Sequence, residues 1–535
     1  MPPCRLTRVA HGLAAAVIGL AASAAPVLAQ SPAIALDPAV SPPEMAATAI
    51  PDGQIERAVA ALDGMARKVM ETTGLPGLAV AVTAHGRTVY AKGFGVRRVG
   101  EPAAVDGDTV FQVASLSKSI TGTIIARQVG RGIVAWDTPI TRHLPWFALS
   151  DPWVTARVTL GDLMAHRSGL ADHAGDDLED LGFDRRAVLE RLRLHPLAAF
   201  RASNHYTNMG PTLAGEAVAA ASGADWESLA DEALFRPLGM ASTSMRFSDF
   251  RARANRADGH MKLNGRFEPL MVRMPDVQAA AGGVSSSVRD MARWMAMVLD
   301  QGRFEDRTII EPAALLPAIT AQSATKQTHA PTARPGLVGF GFNVGIGASG
   351  RTTLSHSGAF YLGTGTTFTM IPSARVGIVV LSNGWPIGAV EALAMEFTDL
   401  VQHGRVTYDW KAAFAGMMAP LMAPSGELAG QAAPARPRAA QPLATYASRY
   451  SSDYLGSMAL DVQDGALVMT IGPAGTRYRL EHWDGDRFVM PLLNENAAQG
   501  SRSIVDFHRD GTGPAGAVTV EFWNKSGLGT FRRTP

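Results

Sequence analysis

Cysteine is almost absent from this sequence: the 535 residues contain one, Cys4. One thiol cannot close a disulfide within the chain, and a structural zinc site built on thiolates needs several. Cys4 also falls in a leader that we expect to be removed, as argued below. The sequence therefore excludes a disulfide framework, a cysteine nucleophile and a thiolate metal site from the mature protein.

An excess of charge of either sign is also missing. Lys and Arg number 49 against 48 Asp and Glu, which leaves a net charge of +1. Without an extended basic field, nucleic acid is not an expected partner. The composition of 47% hydrophobic and 18% charged residues excludes a disordered or fibrous protein and predicts two or three domains.

No apolar run at the N-terminus is long enough for a stable membrane span. The stretch from Gly12 to Ala25 is shorter than the roughly 20 residues that a spanning helix needs. It follows basic residues and precedes small ones, the pattern of a secretory signal peptide. We expect residues 1–29 to be cleaved after Ala29, giving a periplasmic or secreted protein. An uncleaved anchor is the alternative.

Histidine spacings typical of metal sites are absent as well. The 13 histidines contain no His-Glu-x-x-His pattern. The acidic run Asp176-Asp177 with Glu179-Asp180 is interpreted as a solvated loop and not as a cation site. We predict no metal and no cofactor, and a small molecule or peptide as the substrate. The sequence leaves the oligomeric state open.

Periodicity predicts an α+β domain over residues 53–405, after a loose lead-in at 30–52. Strands stand near both ends of this range and helices lie between them, which indicates one sheet built from both ends. The predicted elements are a helix at Gln54–Thr73, a hairpin of Leu78–Thr83 and Arg87–Ala91, a helix from Ser115 to Val129, strands at Gly339–Ile346, Thr366–Ile371 and Val376–Leu381, and a helix from about Ala389 to Val401.

The last part of the chain reads as a separate unit. Residues 406–442 are rich in Pro and Ala, which predicts a semi-rigid linker. Over residues 443–535, short alternating runs are separated by Asp-Gly pairs, which are typical of tight hairpin turns. We expect a small antiparallel β-barrel or sandwich, with most of its aromatic residues in the core: Tyr446, Tyr450, Tyr454, Trp483 and Trp523.

The strongest chemical signal is Ser115-x-x-Lys118, placed where a helix is predicted to begin. In a helix the lysine lies one turn on and faces the same side as the serine, so that its amine can reach the hydroxyl. A serine hydroxyl is a weak nucleophile without such a partner. The lysine acts as a base only where burial or a nearby cation lowers its pKa.

Two further motifs accompany it. Tyr206 and Asn208 are two residues apart, which in an extended backbone places both side chains on one side. Tyr206 could take or relay the serine proton, and Asn208 could bind a substrate amide. His356-Ser-Gly358 is interpreted as the start of an edge-like strand, where a glycine lets a substrate approach the backbone.

These motifs together resemble those of the penicillin-recognising serine hydrolases. Ser115-x-x-Lys118, Tyr206-x-Asn208 and His356-Ser-Gly358 stand in the order of that family's Ser-x-x-Lys, Tyr-x-Asn and Lys-Thr-Gly motifs. Two more segments, 166–170 and 281–286, also look like family segments. The similarity is strongest to esterases and D-amino-acid peptidases related to class C β-lactamases, and it covers about residues 50 to 405.

The resemblance implies a β-lactamase/transpeptidase-like domain, in which an antiparallel sheet is flanked by helices and a helical subdomain. It implies Ser115 as the nucleophile and Lys118 and Tyr206 as the groups that move its proton. By the same analogy, Asn208 contacts a substrate amide, and the oxyanion hole is formed by the backbone amides of Ser115 and Ala359, the residue after Gly358. The residues after 442 look like the lipocalin-like domains appended to some family members.

The sequence departs from the family at His356, where β-lactamases carry a lysine near the substrate carboxylate. Histidine has an ordinary pKa near 6.5, so its attraction for an anion is weaker and depends on pH. Efficient β-lactam hydrolysis is therefore not expected, and esters, amides or peptides are favoured. A purely structural role for His356 is the alternative. Whether Lys118 or Tyr206 is the base stays open.

The leading hypothesis is an exported serine hydrolase that forms an acyl-enzyme on amide bonds of peptides with D- or unusual amino acids. Peptidoglycan-type and linearised non-ribosomal peptides are examples of such substrates. A carboxylesterase for short acyl groups is the first alternative. A β-lactamase, or a penicillin-binding or sensor protein without turnover, is a weaker one.

Overall fold

A computed structural model describes residues 47–326, 330–511 and 513–535 of the chain. The predicted signal peptide and residues 30–46 of the lead-in lie outside the described residues. Among the described helices, none is both long and apolar enough to cross a membrane.

The first part of the chain contributes fourteen of the described strands. In chain order they are β1 (Gly77–Ala84), β2 (Arg87–Gly95), β3 (Phe111–Gln112), β4 (Met261–Leu263), β5 (Arg266–Glu268), β6 (Ser285–Ser286), β7 (Arg303–Phe304), β8 (Arg307–Thr308), β9 (Ser323–Lys326), β10 (Gly336–Val338), β11 (Asn343–Ile346), β12 (Thr352–Phe360), β13 (Thr364–Ile371) and β14 (Val376–Ser382).

Eight of these strands form one antiparallel sheet in the order β2-β1-β14-β13-β12-β11-β10-β9. The strands β1 and β2 from the start of this part pair with strands from its end, as predicted, through the β1–β14 ladder. The β1–β2 hairpin turns at His85 and Gly86, both at positive φ, which matches the twist of the strands. The predicted α+β class with one sheet built from both ends is confirmed.

Fourteen α-helices are found among the described residues, and some of them cover both faces of this sheet. They are α1 (Gln54–Thr73), α2 (Leu116–Gly130), α3 (Pro152–Thr155), α4 (Leu160–Met164), α5 (Asp176–Asp180), α6 (Arg185–Arg191), α7 (Met209–Ser222), α8 (Trp226–Ala230), α9 (Phe247–Ala252), α10 (Ala279–Gly282), α11 (Val288–Leu299), α12 (Pro312–Ile319), α13 (Ala389–His403) and α14 (Trp410–Leu421).

Strand β1 shows why both faces are covered. All eight of its residues are buried, and alternate side chains enter two different cores. Leu78 and Val80 pack with α1 and α13 on one face, whereas Ala79 and Ala81 face the core that contains α2 and α11 on the other. The helix α2, which begins next to Ser115, is thereby held against the sheet.

One predicted strand is wrong in its extent. The sequence predicts a single strand over Gly339–Ile346, but the structure has a hairpin of β10 and β11. Gly341, at φ +87°, lies between the two strands, and a Cβ at this position would lie 2.3 Å from the carbonyl oxygen of Lys118. The chain therefore turns at a glycine because it passes directly over the start of α2.

The C-terminal region forms a second antiparallel sheet of nine strands, in the order β18-β17-β16-β15-β23-β22-β21-β20-β19. Its strands are β15 (Ser448–Ser452), β16 (Gly456–Gln463), β17 (Ala466–Ile471), β18 (Thr476–Arg479), β19 (Glu481–Asp484), β20 (Arg487–Asn494), β21 (Ala497–His508), β22 (Ala517–Val520) and β23 (Thr530–Arg533).

This sheet curls into a nearly closed barrel, since β18 approaches β20 across the opening. An Asp464-Gly465 turn with both residues at positive φ joins β16 to β17, as the sequence predicts. The expectation that the aromatic residues form the core is met by Tyr446, Tyr450, Tyr454 and Trp523, which are buried; Trp483 is partly exposed.

The predicted linker, residues 406–442, contains regular structure that the sequence analysis missed. Helix α14 occupies Trp410–Leu421 and packs on α13, and Leu428 is buried against the C-terminal sheet. Alanine and methionine favour helices, and Pro420 stands in the last turn, one residue before the helix ends. Proline content alone is therefore not enough to distinguish a linker from a helix that packs on the domain.

The C-terminal region contacts the first part of the chain at helix α5. Tyr454 Oη donates a hydrogen bond to Asp177 Oδ1 at 2.5 Å, and Asn496 Nδ2 donates one to Asp180 Oδ2 at 2.7 Å. The neighbouring Glu179 is bound by Arg273 at 2.6 Å. The interpretation of this acidic run as a solvated loop is thus wrong: Asp176 and Glu179 are only 6% and 8% exposed, because side chains from both parts of the chain pack around the helix.

We predict that Tyr454→Phe lowers the free energy of unfolding by about 1 to 3 kcal/mol, because it leaves the buried Asp177 carboxyl without its donor. Thermal or urea unfolding measures the change. Tyr408→Phe is the matched control, since the Tyr408 side chain is 61% exposed, and it should change stability by less than about 0.5 kcal/mol. Equal effects of the two variants would contradict a stabilising contact at α5.

Candidate active site

Ser115 stands at the junction between a short strand and a helix, as the sequence predicts. Strand β3 ends at Gln112, and α2 begins at Leu116 with Ser115 as its N-cap. Ala114 has a φ of +49°, a region that residues with a Cβ rarely adopt. This turn leaves the Ser115 side chain partly exposed among buried neighbours, and amides at a helix N-terminus have no helical acceptor.

Lys118 lies one helical turn from Ser115 and is completely buried. Its Nζ lies 3.0 Å from Ser115 Oγ, 2.7 Å from Asn208 Oδ1 and 3.1 Å from the carbonyl oxygen of Ala281. Burial lowers the pKa of Lys118 to about 7, and the charge of Asp176 opposes this shift. A substantial fraction of the amine is therefore unprotonated near neutral pH, so it can accept a proton.

Tyr206 approaches the same oxygen from another direction. Its Oη donates a hydrogen bond to Ser115 Oγ at 2.8 Å, and Lys118 Nζ lies 4.6 Å from the centre of its ring. Burial raises the pKa of Tyr206 well above its ordinary value, so the phenol is neutral and keeps its proton. The ring packs against His166, with 4.7 Å between ring centroids.

Asn208 is engaged at both ends of its side chain. Its Oδ1 accepts from Lys118, and its Nδ2 donates to Asp176 Oδ2 at 2.7 Å. The His173 ring shares the same carboxylate oxygen, at 2.8 Å. The sequence analysis missed Asp176, which orients Asn208 toward the lysine; its acidic neighbours were the available signal, and they were read as a surface feature.

His356 lies in the middle of β12 and not at the start of an edge strand. The strand begins at Thr352, and its pairing with β11 reaches Ser355, after which the remaining residues pair only with β13. The expectation is therefore corrected: the strand is internal for its first half and has a free side from His356 onward. This free side arises because β11 is shorter than β12.

The His356 ring is buried and electrically neutral. Burial, together with the charge of Lys118, lowers its pKa to about 4. Its Nδ1 lies 2.7 Å from the carbonyl oxygen of Ser357, and since a carbonyl only accepts, Nδ1 carries the proton. The other nitrogen, Nε2, then offers a lone pair. This side chain cannot serve as a cation for a substrate carboxylate at neutral pH.

Gly358 is required by the close approach of the chain that carries the serine. A Cβ on Gly358 would lie 2.4 Å from the carbonyl oxygen of Val113, 2.4 Å from Thr366 Oγ1 and 3.0 Å from the backbone nitrogen of Ser115. Ala359 follows on the same strand, paired with Gly365 of β13. Residue 358 and the backbone amide of Ser115 are thus neighbours.

A cavity of about 290 Å³ lies at these residues, lined by Tyr206 and His356 together with His166, Asn204 and Asn343. Val338 and Gly341, from β10 and the turn that follows it, complete the wall beside these polar side chains. In the described ranges, no group of three or more His, Cys, Asp or Glu side chains is arranged to hold a metal ion.

The fold and the constellation of Ser115, Lys118 and Tyr206 define a serine hydrolase of the β-lactamase/transpeptidase class. A family model described as Beta-lactamase matches residues 62–401, and a model described as a domain of unknown function, DUF3471, matches residues 432–528. The first match covers more than half of the chain. The chain therefore belongs to the Beta-lactamase family, and it is a hydrolase of that family.

Curated relatives agree with this class. The chain is 25% identical to Unguisins hydrolase ungD of Aspergillus violaceofuscus, over 90% of each protein, and 26% identical to ungD′ of Aspergillus campestris, over 59% of this chain and 60% of that one. It is 24% identical to the D-alanyl-D-alanine-carboxypeptidase/endopeptidase AmpH of Escherichia coli (strain K12), over 64% of this chain and 88% of the relative.

A solved structure shares the fold over nearly the whole chain. The octameric penicillin-binding protein homologue from Pyrococcus abyssi matches with a TM-score of 0.56 and 19% identity, over 88% of this chain and 99% of that one. At this identity the likeness establishes the fold alone.

We predict that Gly358→Ala reduces labelling of Ser115 by a fluorophosphonate probe by at least about a hundredfold. The new methyl group would displace the backbone of the nucleophile, and small displacements of reacting atoms are costly. Gly365→Ala, on the adjacent strand, is the control, because its Cβ would meet nothing closer than 3.5 Å. Comparable labelling of the two variants would show that the approach at Gly358 does not position the serine.

Proposed function

We propose that this chain is an exported serine hydrolase that cleaves amide bonds in peptides containing D- or unusual amino acids, through an acyl-enzyme on Ser115. The observation that carries the proposal is the convergence of two proton-handling groups, Lys118 Nζ and Tyr206 Oη, on Ser115 Oγ. In this proposal residues 1–29 are removed on export, the hydrolase domain spans 53–405, and a lipocalin-like domain spans 443–535.

The first step is attack on the substrate carbonyl. Lys118, whose pKa is lowered to about 7 by burial, takes the hydroxyl proton while Ser115 Oγ bonds to the carbonyl carbon. Tyr206 is the weaker candidate for this base, since burial raises its pKa. A phenol that keeps its proton is instead suited to donate one, so we assign Tyr206 to the leaving group.

The second step is collapse of the tetrahedral intermediate. The amides of Ser115 and Ala359 donate hydrogen bonds to the oxyanion, which is the arrangement that Gly358 permits by its close approach to Ser115. Tyr206 gives its proton to the leaving nitrogen as the C–N bond breaks, and it recovers a proton from Lys118. Water then attacks the acyl carbon while Lys118 accepts its proton. Lys118 returns that proton to Ser115 Oγ as the bond between Oγ and the acyl carbon breaks and the acid is released.

His356 bears on the choice of substrate. A buried, neutral imidazole adds no positive charge where a substrate carboxylate would need one. This favours a substrate whose recognition does not depend on a carboxylate at that place, and it argues against efficient β-lactam hydrolysis. The name of one relative, a D-alanyl-D-alanine-carboxypeptidase/endopeptidase, supports a peptide substrate. Another relative, Esterase EstB of Burkholderia gladioli, keeps the carboxylesterase as the alternative.

The decisive measurement is hydrolysis of a matched pair, a D-alanine-containing peptide and a nitrophenyl ester, with Ser115→Ala as the control. We predict cleavage of the peptide and loss of at least about a thousandfold in kcat/KM on substitution, because the acyl-enzyme cannot form. Cleavage of the ester alone would indicate that the protein is a carboxylesterase and not a peptidase. No turnover of either would favour a binding protein, and activity in Ser115→Ala would refute the mechanism.

The pH profile tests the assignment of the base. If neutral Lys118 is required, kcat/KM rises as pH increases through its pKa, about 7. The Asp176 charge raises this pKa, so Asp176→Asn should lower it and move the acid limb of the profile to lower pH, by roughly half a unit to one unit. Asp510→Asn removes an exposed carboxylate from a C-terminal turn and should move nothing. If the acid limb of Asp176→Asn does not move, or moves to higher pH, the assignment of Lys118 as the base is contradicted.

A further inference from the structure

A second cavity, of about 320 Å³, lies where the C-terminal region meets the active site. From the hydrolase part it is lined by Asp172, Asp176 and Tyr361, and from the C-terminal region by Trp523 and Lys525. The two parts of the chain therefore build this cavity jointly, and neither part encloses it alone.

Three buried polar atoms of residues at this cavity lack a partner within the described residues: Asp176 Oδ1 and both ring nitrogens of His195. Asp176 is 94% buried, since 6% of it is exposed, and its Oδ1 makes no hydrogen bond within the described residues. The other oxygen, Oδ2, is used by Asn208 and His173. A buried carboxylate oxygen without a donor costs free energy unless a bound group supplies one. The arrangement therefore points to a ligand that carries N–H donors.

The cavity is next to the chemistry. Asp172 lines both this cavity and the one beside Tyr206 and His356, and its Oδ1 accepts from the backbone nitrogen of Tyr206 at 2.7 Å. Asp176 reaches Lys118 through a single intervening side chain, Asn208. A substrate whose scissile carbonyl sits at Ser115 can thus extend into this space.

The charges and rings of the lining select one kind of group. Three carboxyl groups, those of Asp172, Asp176 and Asp177, stand against the ammonium of Lys525, and the rings of Tyr361 and Trp523 form part of the wall. Carboxylates next to aromatic faces favour a cation that carries an apolar body. Lys525 is exposed and lies 5.4 Å from the centre of the Phe522 ring, so it occupies the rim and repels a cation only from there.

We propose that this cavity is a subsite for the amino-terminal end of the substrate, which binds its free ammonium group on Asp176 Oδ1 and Asp172 and its apolar side chain against Tyr361 and Trp523. The inference rests on the proposed function in that it assigns a part of the peptide substrate to a part of the site. It makes the C-terminal region a wall of the substrate site.

The test measures binding and does not need turnover. The probes are D-phenylalaninamide and its N-acetyl derivative, titrated by calorimetry into the full-length Ser115→Ala protein, which cannot acylate. We expect the free amine to bind at least about tenfold more tightly than the acetylated probe, because acetylation removes the charge and two donors. Equal affinity, or no binding of the free amine, would overturn the subsite.

Two further substitutions in the Ser115→Ala background should act in opposite directions. Asp172→Asn keeps an acceptor for the Tyr206 amide but removes a charge, so it should lower the affinity for the free amine roughly threefold to tenfold. Lys525→Gln removes the repulsion between the two positive charges, so it should raise the affinity for the free amine roughly twofold to threefold. Asp464→Asn, in the β16–β17 turn outside the cavity, is the control and should leave affinity unchanged. Shifts of the same sign for Asp172→Asn and Lys525→Gln would overturn the proposed charge preference.

Turnover then separates this inference from the proposed function. Serine-dependent cleavage of the N-acetylated and the free peptide at equal rates would keep the hydrolase and reject the subsite. Preferential binding of the amine without any peptide cleavage would keep the subsite and reject the peptidase.

Discussion

Burying the Lys118 amine is the constraint around which the active site is organised. A charged ammonium in a water-free position is costly, and this cost lowers the pKa of Lys118 to about 7. The same position brings three acceptors to Nζ, from Ser115, Asn208 and Ala281. These come from three separate stretches of chain, so the packing of α2 against the sheet and of α7 and α10 around it decides which groups surround the Lys118 amine.

The C-terminal region takes part in this arrangement through helix α5. Tyr454 and Asn496 bind two carboxyls of that helix, and the same helix carries Asp176, whose other contacts lead through Asn208 to the lysine. The appended β-region is therefore connected to the Lys118 amine through helix α5 and the hydrogen bonds at its two sides. This connection gives a physical reason for the two regions to be fused in one chain.

Local patterns in the sequence were enough for much of the fold and for part of the site. Helix α1, the β1–β2 hairpin and the pairing of early with late strands follow from apolar periodicity and turn residues, which act over short distances. The serine and lysine of Ser115-x-x-Lys118 face each other for the same reason, since helical geometry alone brings them together. Four expectations failed where long-range packing decides: the single strand at Gly339–Ile346, the linker that contains helix α14, the solvated loop at Asp176, and the place of His356 at the start of a strand.

The sequence by itself determined which residues could react and in which elements they stand, because these depend on residue type and on spacing along the chain. Only the tertiary structure decided their protonation and their partners. Burial sets the low pKa of both Lys118 and His356, and burial depends on neighbours distant in sequence. The second cavity at Asp176 belongs to the same category, since its walls come from residues about 350 positions apart that meet only when both regions are folded.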